Sequence, residues 1–390
     1  MSGIAADFAK ADVMRVQFDL PAGMTYLDTS AHAPMLRSAL AAGQAVLARS
    51  GTPWSGTDAD WNAGVERVRA MAAQWLDGDV EGVAFVPSAA YGIAVAARNL
   101  PLTRGDTVMV LDGQFPSNLL AWQQRCNETG ARIVVARREP GQDWTGAVLA
   151  TLERNIDVRI ATLPQAHWHD GAMLDLDRIA PHVRARGAAL VLDLSQSLGA
   201  LAVDLARWQP DFIVSVGYKW LMGVTGLSLL WAAPHWREHG VSIEHHWSAR
   251  DEHAVWRFDP QVMPAYRPGA RRFDAGGVLE LQRLAMFEAA LLQLQAWGAH
   301  VVSTHLRATI DALDAALHGV GLSSWNTAQH APHFTGLRPP RNRFAAVVAA
   351  LREANIVCTA RYGVLRIAPH LHVDPADMQR VARVLASAGT

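Results

Sequence analysis

Residues 211–220, DFIVSVGYKW, carry one charge that their neighbours do not explain. FIVSV is a continuous apolar run of strand length, rich in β-branched residues, and reads as a strand buried on both faces. Such strands belong to parallel sheets covered by helices. Lys219 stands just past the carboxyl end of this run. A lysine is rarely buried unless it is paired or used, and burial lowers its pKa and frees a nucleophilic amine. The other reading is a strand that simply ends, with Lys219 in water.

Outward from this run the pattern repeats. Upstream lie GVAFV, DTVMVLD (106–112), ARIVVARR, VRIATLPQ and AALVLDLSQS, and LSLLWAA follows downstream. Helical stretches separate most of them: YGIAVAARNL, NLLAWQQRCNETG ending at Gly130, VLATLERN, and LDRIAPHVRARG ending at Gly187. Before them, residues 61–77 predict an amphipathic helix with Val65, Val68, Ala72 and Trp75 on one face. The alternation predicts an α/β fold built on a mostly parallel, seven-stranded sheet. Residues 232–275 follow no clear period, and long irregular stretches are often functional. Residues 277–318 read as helix, and the rest alternates again through VLRIAPH to a helix in PADMQRVARVLASAG. The division expected is an N-terminal arm (1–20), a large α/β domain (21–265) and a smaller C-terminal α+β domain (266–390).

Bulk composition excludes several classes. With 390 residues, 50% hydrophobic and 18% charged, the chain can bury a sizeable core and is not a disordered composition. Lys+Arg 35 against Asp+Glu 36 leaves no basic excess for a nucleic-acid surface. Two cysteines, Cys126 and Cys358, imply no disulfide framework. Neither a signal peptide nor a membrane-length apolar run is present, so the expectation is a cytoplasmic protein without membrane partners. Most of the 14 tryptophans are expected in cores or interfaces.

Ligands of open α/β sheets bind beyond the carboxyl ends of the strands. ALVLDLSQS places Asp193 at one such end, one strand before Lys219. The two are either a plain buried ion pair or have separate tasks around one aromatic cofactor. VPSAAYG (86–92) is a strand–turn–helix junction of small residues, and a helix N-terminus of this kind receives phosphate. It is neither GxGxxG nor GxxxxGK[ST], which removes support for a dinucleotide or triphosphate site. In GQFPSN (113–118), Phe115 is either a stacking ring or a core aromatic.

In order, YLDTSAHAP, PSAAYGIA, DGQFPSN, DLSQSLGA, SVGYKW, RRFDAGG and LRIAPH span most of the chain. Together they resemble the class V aminotransferase family of pyridoxal-phosphate enzymes, fold type I, which includes cysteine desulfurases, kynureninases and isopenicillin N epimerase-like proteins. The resemblance implies pyridoxal 5′-phosphate bound covalently through Lys219, which would later shuttle the Cα proton. Asp193 would pair with the pyridine nitrogen, and Gln196 would bond the phenolic oxygen. Phe115 would stack on the ring, as in the kynureninase-like branch, and Tyr218 would add a hydroxyl. Backbone N–H groups of Ser88, Ala89 and Ala90 would hold the phosphate. Gly276 and Gly277 fall where a neighbouring subunit reaches that phosphate, which implies a homodimer with shared sites. Arg366 would grip the carboxylate of an amino-acid substrate; without the resemblance it reads equally as an exposed strand-end arginine. His32 and His167 would lie beside the substrate.

NIVCTARYGVLR lacks the cysteine-bearing loop of a desulfurase, and Cys358 reads as a core residue in a strand. The histidines of QAHWHDG and IEHHWSARDEH match no zinc signature, and the loop at 244–258 is a candidate substrate-facing segment. The resemblance implies an aminotransferase or lyase, with an epimerase/racemase or a kynureninase-like C–C hydrolase as alternatives. A non-catalytic cofactor-binding regulator is the alternative of another class.

Overall fold

The computed structural model describes residues 14–55, 58–278 and 280–389. Residues 1–13 of the expected N-terminal arm lie outside them.

The strands, in chain order, are β1 (Thr25–Tyr26), β2 (Val83–Val86), β3 (Thr107–Leu111), β4 (Arg132–Ala136), β5 (Val158–Pro164), β6 (Ala189–Asp193), β7 (Phe212–Val216), β8 (Ser228–Ala232), β9 (Thr335–Leu337), β10 (Ile356–Val357), β11 (Thr359–Arg361) and β12 (Val364–Ile367). Seven of them form one sheet in the order β2-β8-β7-β6-β5-β3-β4. β3 to β7 run parallel, and β8 turns back antiparallel between β7 and β2. This is the α/β sheet that the apolar runs predict. Alternate side chains of each strand enter opposite layers. Phe85, Met109, Leu163, Leu192 and Ile213 pack on one face, and Val86, Val110, Ile160, Val191 and Val214 on the other.

Local chemistry sets the helix ends. The helix Pro116–Thr129 starts with proline at its first turn and ends at Gly130 in a left-handed conformation (φ 76°), so Phe115 is fixed as its N-cap. The helix expected at 61–77 runs Asp58–Ala73. Val65, Val68 and Ala72 are buried as expected, and Trp75 lies beyond the helix in the turn that leads to β2.

β2 is an edge strand and is covered. The Ala275 N–H donates to the Phe85 carbonyl at 3.0 Å, and the Phe85 N–H donates to Asp274 Oδ1 at 2.8 Å. Asp274 is gripped by the buried Arg69 fork, at 2.7 and 3.2 Å. The segment carrying Gly276 and Gly277 is thereby zipped to the sheet, and no strand edge is left open there.

The second sheet is antiparallel, β11-β12-β9. Its core joins Leu365 and Ile367 to Leu313, Leu317, Val381 and Leu385 of the helices Ala299–Gly319 and Asp377–Gly389. β1 pairs in parallel with β10, Thr25 opposite Ile356 and Tyr26 opposite Val357. Leu27 enters the same core. Residues 25–27 are thus built into the C-terminal part of the chain.

Residues 232–275 are less irregular than their sequence suggests. They hold the helices Pro234–His239 and Glu252–Val255 and two 3-10 turns. No helix among the described residues is long and apolar enough to cross a membrane.

Candidate active site

Parallel register brings the two charged residues together. Asp193 ends β6 opposite Val214 of β7, and three residues past β7 stands Lys219. The chain turns inward at Gly217, where a Cβ would lie 2.5 Å from the Leu227 carbonyl oxygen, so only glycine fits. Lys219 and Asp193 then line one cavity of about 170 Å³ beyond the carboxyl ends of the strands. Both are buried, each 8% exposed.

Burial governs their charges. It presses the Lys219 amine down to about 8, against the pull of the Asp193 carboxylate. It pushes the Asp193 carboxyl up, against the Ser195 N–H that donates to Oδ1 at 3.1 Å. Their mutual attraction does not offset what each loses by leaving water.

Phe115 forms a wall of the cavity, its ring centroid 5.7 Å from Lys219 Nζ. Trp168 meets Phe115 edge-on at 5.4 Å and is fixed by its indole N–H, which donates to the Gly113 carbonyl at 2.8 Å. At another wall, Ser88 and Ala89 begin the helix Ala89–Asn99. Its first-turn N–H groups have no intrahelical partner. The Ser88 hydroxyl takes that of Tyr91 at 3.1 Å, which leaves those of the alanines for an anion. Gln196 and Tyr218 also line the cavity.

The remaining expected residues lie off the wall. Arg366 is buried outside it. Its guanidinium donates to the Trp168 carbonyl at 3.0 Å, and to Asp28 and Thr359 at 3.3 Å each, while Nε has no partner. Asp28 in turn accepts from the Thr359 hydroxyl at 2.8 Å. His32 is exposed; its ring stacks on Tyr218 at 5.1 Å and its Nε2 lies 3.2 Å from the hydroxyl of Thr225, a cavity residue. Ala90 is exposed and outside the lining. Gly276 and Gly277 are also outside it: the Gly276 N–H donates to Glu244, and Gly277 has a positive φ of 72° with open space around it.

His167 does not line the cavity either; it turns into the protein, stacking on Trp144 at 5.0 Å with Nδ1 3.3 Å from Asp170. The buried Asp170 carboxylate, also paired with Arg338 and Arg138, draws the ring inward. Trp168 takes the cavity position. The 244–258 loop contributes nothing to the lining either. Its Trp247, Trp256 and Phe258 form an exposed ring-to-ring row at 5.5 and 5.8 Å. His245 and His246 there are engaged separately, by Arg250 and Ser248.

Cys358 falls in the break between β10 and β11 rather than inside a strand. Burial, then the Asp28 carboxylate, pushes its thiol up to about 12, so it is no thiolate at neutral pH.

Sequence reasoning missed Asp28, Ser195 and Thr225. Asp28 stands in YLDTSAHAP, a stretch that already stood out, but nothing local announces its partner 338 residues away.

The chain is similar to several known proteins. The family pattern described as Aminotransferase class-V matches residues 25–373. A kynureninase of Deinococcus radiodurans is 30% identical over 306 residues, 74% of this chain and 72% of that protein. The uncharacterized aminotransferase YcbU of Bacillus subtilis is 25% identical over 335 residues, 84% and 85% of the two chains. The cystine C–S lyase C-DES, solved with its product cysteine persulfide, superimposes with a TM-score of 0.82 at 19% identity, over 95% of this chain and 99% of that one. The last is a likeness of fold.

Proposed function

The chain belongs to the aminotransferase class-V family, and from that premise we propose that it is a pyridoxal-phosphate enzyme acting at Cα of an amino acid, as an aminotransferase or a lyase. One observation carries the reading: a buried amine and a buried carboxylate line one cavity, and each is destabilised by burial more than it is relieved by the other.

The residues present fit the cofactor. Its aldehyde calls for an amine, its ring nitrogen for a carboxylate, its ring for an aromatic face and its phosphate for free N–H groups. Lys219, Asp193, Phe115 and the Ser88–Ala90 turn would supply these in one place. When bound, pyridoxal phosphate supplies an electron sink for the pair released as a bond at Cα breaks.

The protein's own groups do the rest. With its pKa near 8, the Lys219 amine is neutral in about one molecule in ten at pH 7. The neutral amine would hold the cofactor and, once the substrate's amino group has displaced it, would take the proton from Cα and hold it. Asp193 would face the ring nitrogen and favour a proton there. Tyr218 lies beside Lys219 and offers a hydroxyl, while Phe115 and Trp168 give the cavity an aromatic wall. Arg366 anchors the substrate carboxylate, for which Asp28 must release part of the guanidinium.

A cysteine desulfurase is disfavoured, because Cys358 is protonated and no loop carries it toward the cavity. A C–C hydrolase of the kynureninase kind is the second reading, favoured by Phe115 and Tyr218 on the cavity wall. We also propose a cytoplasmic homodimer in which Gly276 and Gly277 face the partner's phosphate.

The sequence offers a clean test, since Lys10 is the only other lysine. Borohydride reduction of the cofactor-loaded protein should leave the cofactor mass on Lys219 in a peptide map. A label on Lys10 alone, or none, ends the reading. An amino-acid panel assayed for keto acid, ammonia, pyruvate and racemised product then separates the reactions. Keto acid formed from the donor amino acid, together with amination of an added keto-acid acceptor, marks an aminotransferase, and ammonia with pyruvate a lyase.

A further inference from the structure

Trp220, the residue after Lys219, is fully buried and held from several sides. His333 meets its ring edge-on at 4.5 Å, and His370 stacks on it at 5.9 Å. Its carbonyl lies 3.3 Å from His370 Nε2, and its indole N–H donates to Gln196 Oε1 at 3.2 Å. Gln196, a cavity residue, is held at two further points. Its Nε2 donates to the Ser30 carbonyl at 2.9 Å, and its own main-chain carbonyl lies 2.6 Å from His333 Nε2.

The histidines come from outside the seven-stranded sheet. His333 sits in the turn before β9 and His370 in the segment after β12. Burial holds both rings neutral, at about 3 and about 4. A neutral imidazole has one N–H to give. Nδ1 of His333 is buried without a partner, so the proton sits on Nε2 and goes to the Gln196 carbonyl.

We propose that His333 is a positioning residue: it fixes Gln196 directly and Lys219 through Trp220, and so ties the cavity floor to the C-terminal sheet. Without that donor a buried carbonyl is left unpaired, and Gln196 and Trp220 lose their common brace. This inference rests on the assignment of the cavity to pyridoxal phosphate.

Two variants test it. His333→Leu removes the N–H and keeps an apolar filler; His333→Gln restores an N–H near the place of Nε2. Cofactor affinity is measured by dialysis of the full chain. The pH midpoint of Lys219 acylation is measured on cofactor-free protein by mass spectrometry. H333L should bind the cofactor about tenfold more weakly, the scale of one buried carbonyl without its donor, and its acylation midpoint should move from that of wild type. H333Q should return both to near wild type. H333L with wild-type affinity and midpoint overturns the proposal, as does H333Q impaired as deeply as H333L. If H333L does not fold, Trp220→Phe deletes the indole N–H bond to Gln196 and trims the ring against which His333 and His370 pack; the same weakening is expected, and wild-type affinity is again a refutation. A wild-type protein that takes up no pyridoxal phosphate overturns the cofactor assignment along with the proposal. One that binds normally beside an unchanged H333L overturns the positioning role alone.

Discussion

Among the places where the described residues bury a cation beside a carboxylate, two are built in opposite ways. At the edge of the large sheet, Arg69 and Asp274 are 0% and 1% exposed. The Arg69 fork donates twice to Asp274 and once to the Val83 carbonyl at 2.7 Å, while Asp274 also accepts from the Phe85 N–H. At the carboxyl ends of β6 and β7, Lys219 and Asp193 are nearly as buried, yet burial dominates both. The first pair is saturated by the fold, whereas the second is left unsatisfied and opens on a cavity. A saturated pair holds a segment in place; an unsatisfied one has capacity for a ligand.

The contrast is sharpest if the lysine is removed. Lys219→Ala should lower turnover by about a thousandfold or more, the range for a lost general acid–base group, without lowering the melting temperature of the cofactor-free protein. The sign follows from linkage. Folding depresses the amine from 10.5 to about 8, so below about pH 8 the buried ammonium opposes the folded state, and that cost is relieved as pH rises from about 8 to 10.5. A cofactor-free variant that melts well below the parent would make Lys219 a structural group after all.

Arg69→Leu should do the reverse. It strands Asp274 and should cost about 3–5 kcal/mol of stability in denaturant unfolding. A loss under about 1 kcal/mol would erase the distinction drawn between the two pairs.

Arg366 stands between these extremes, part paired and part free. Arg366→Ala should raise KM for amino-acid substrates by about 1.5–3 kcal/mol equivalent with a smaller change in kcat, as expected for a charge-assisted bond present throughout the reaction. An unchanged KM would confine Arg366 to its bond with Asp28. The smallest effect belongs to Cys358. Cys358→Ser should leave turnover within about twofold, since a protonated thiol is no nucleophile; loss of activity would return the desulfurase reading.

The large sheet was legible because its strands are continuous apolar runs, and such runs between helices admit few arrangements. Lys219 and Asp193 were legible for the same reason: the ends of adjacent parallel strands must meet. The partner of β1 was not: YLDTSAHAP reads as a strand fragment breaking into a turn, but nothing local announces that Thr25 finds its neighbour at Ile356. The direction of His167 was not legible, because spacing puts a residue in a turn without saying which way its side chain points; here the ring lies against Trp144 and the buried Asp170. His333 was silent in the sequence because its partners, the Gln196 carbonyl and the Trp220 ring, are brought to it by the packing of the turn before β9 on the segments that follow β6 and β7.

The pairing of β1 with β10 also governs the order in which the molecule can assemble. During synthesis the large sheet can close while the ribosome is still at work, but Thr25–Tyr26 must wait, solvated and without a strand beside it, until residues 356–357 have emerged. The clasp of Asp28 on Arg366 comes later still, and the packing of His370 on Trp220 later again, so the grip on a substrate and the brace behind the lysine are completed by the same last stretch of chain.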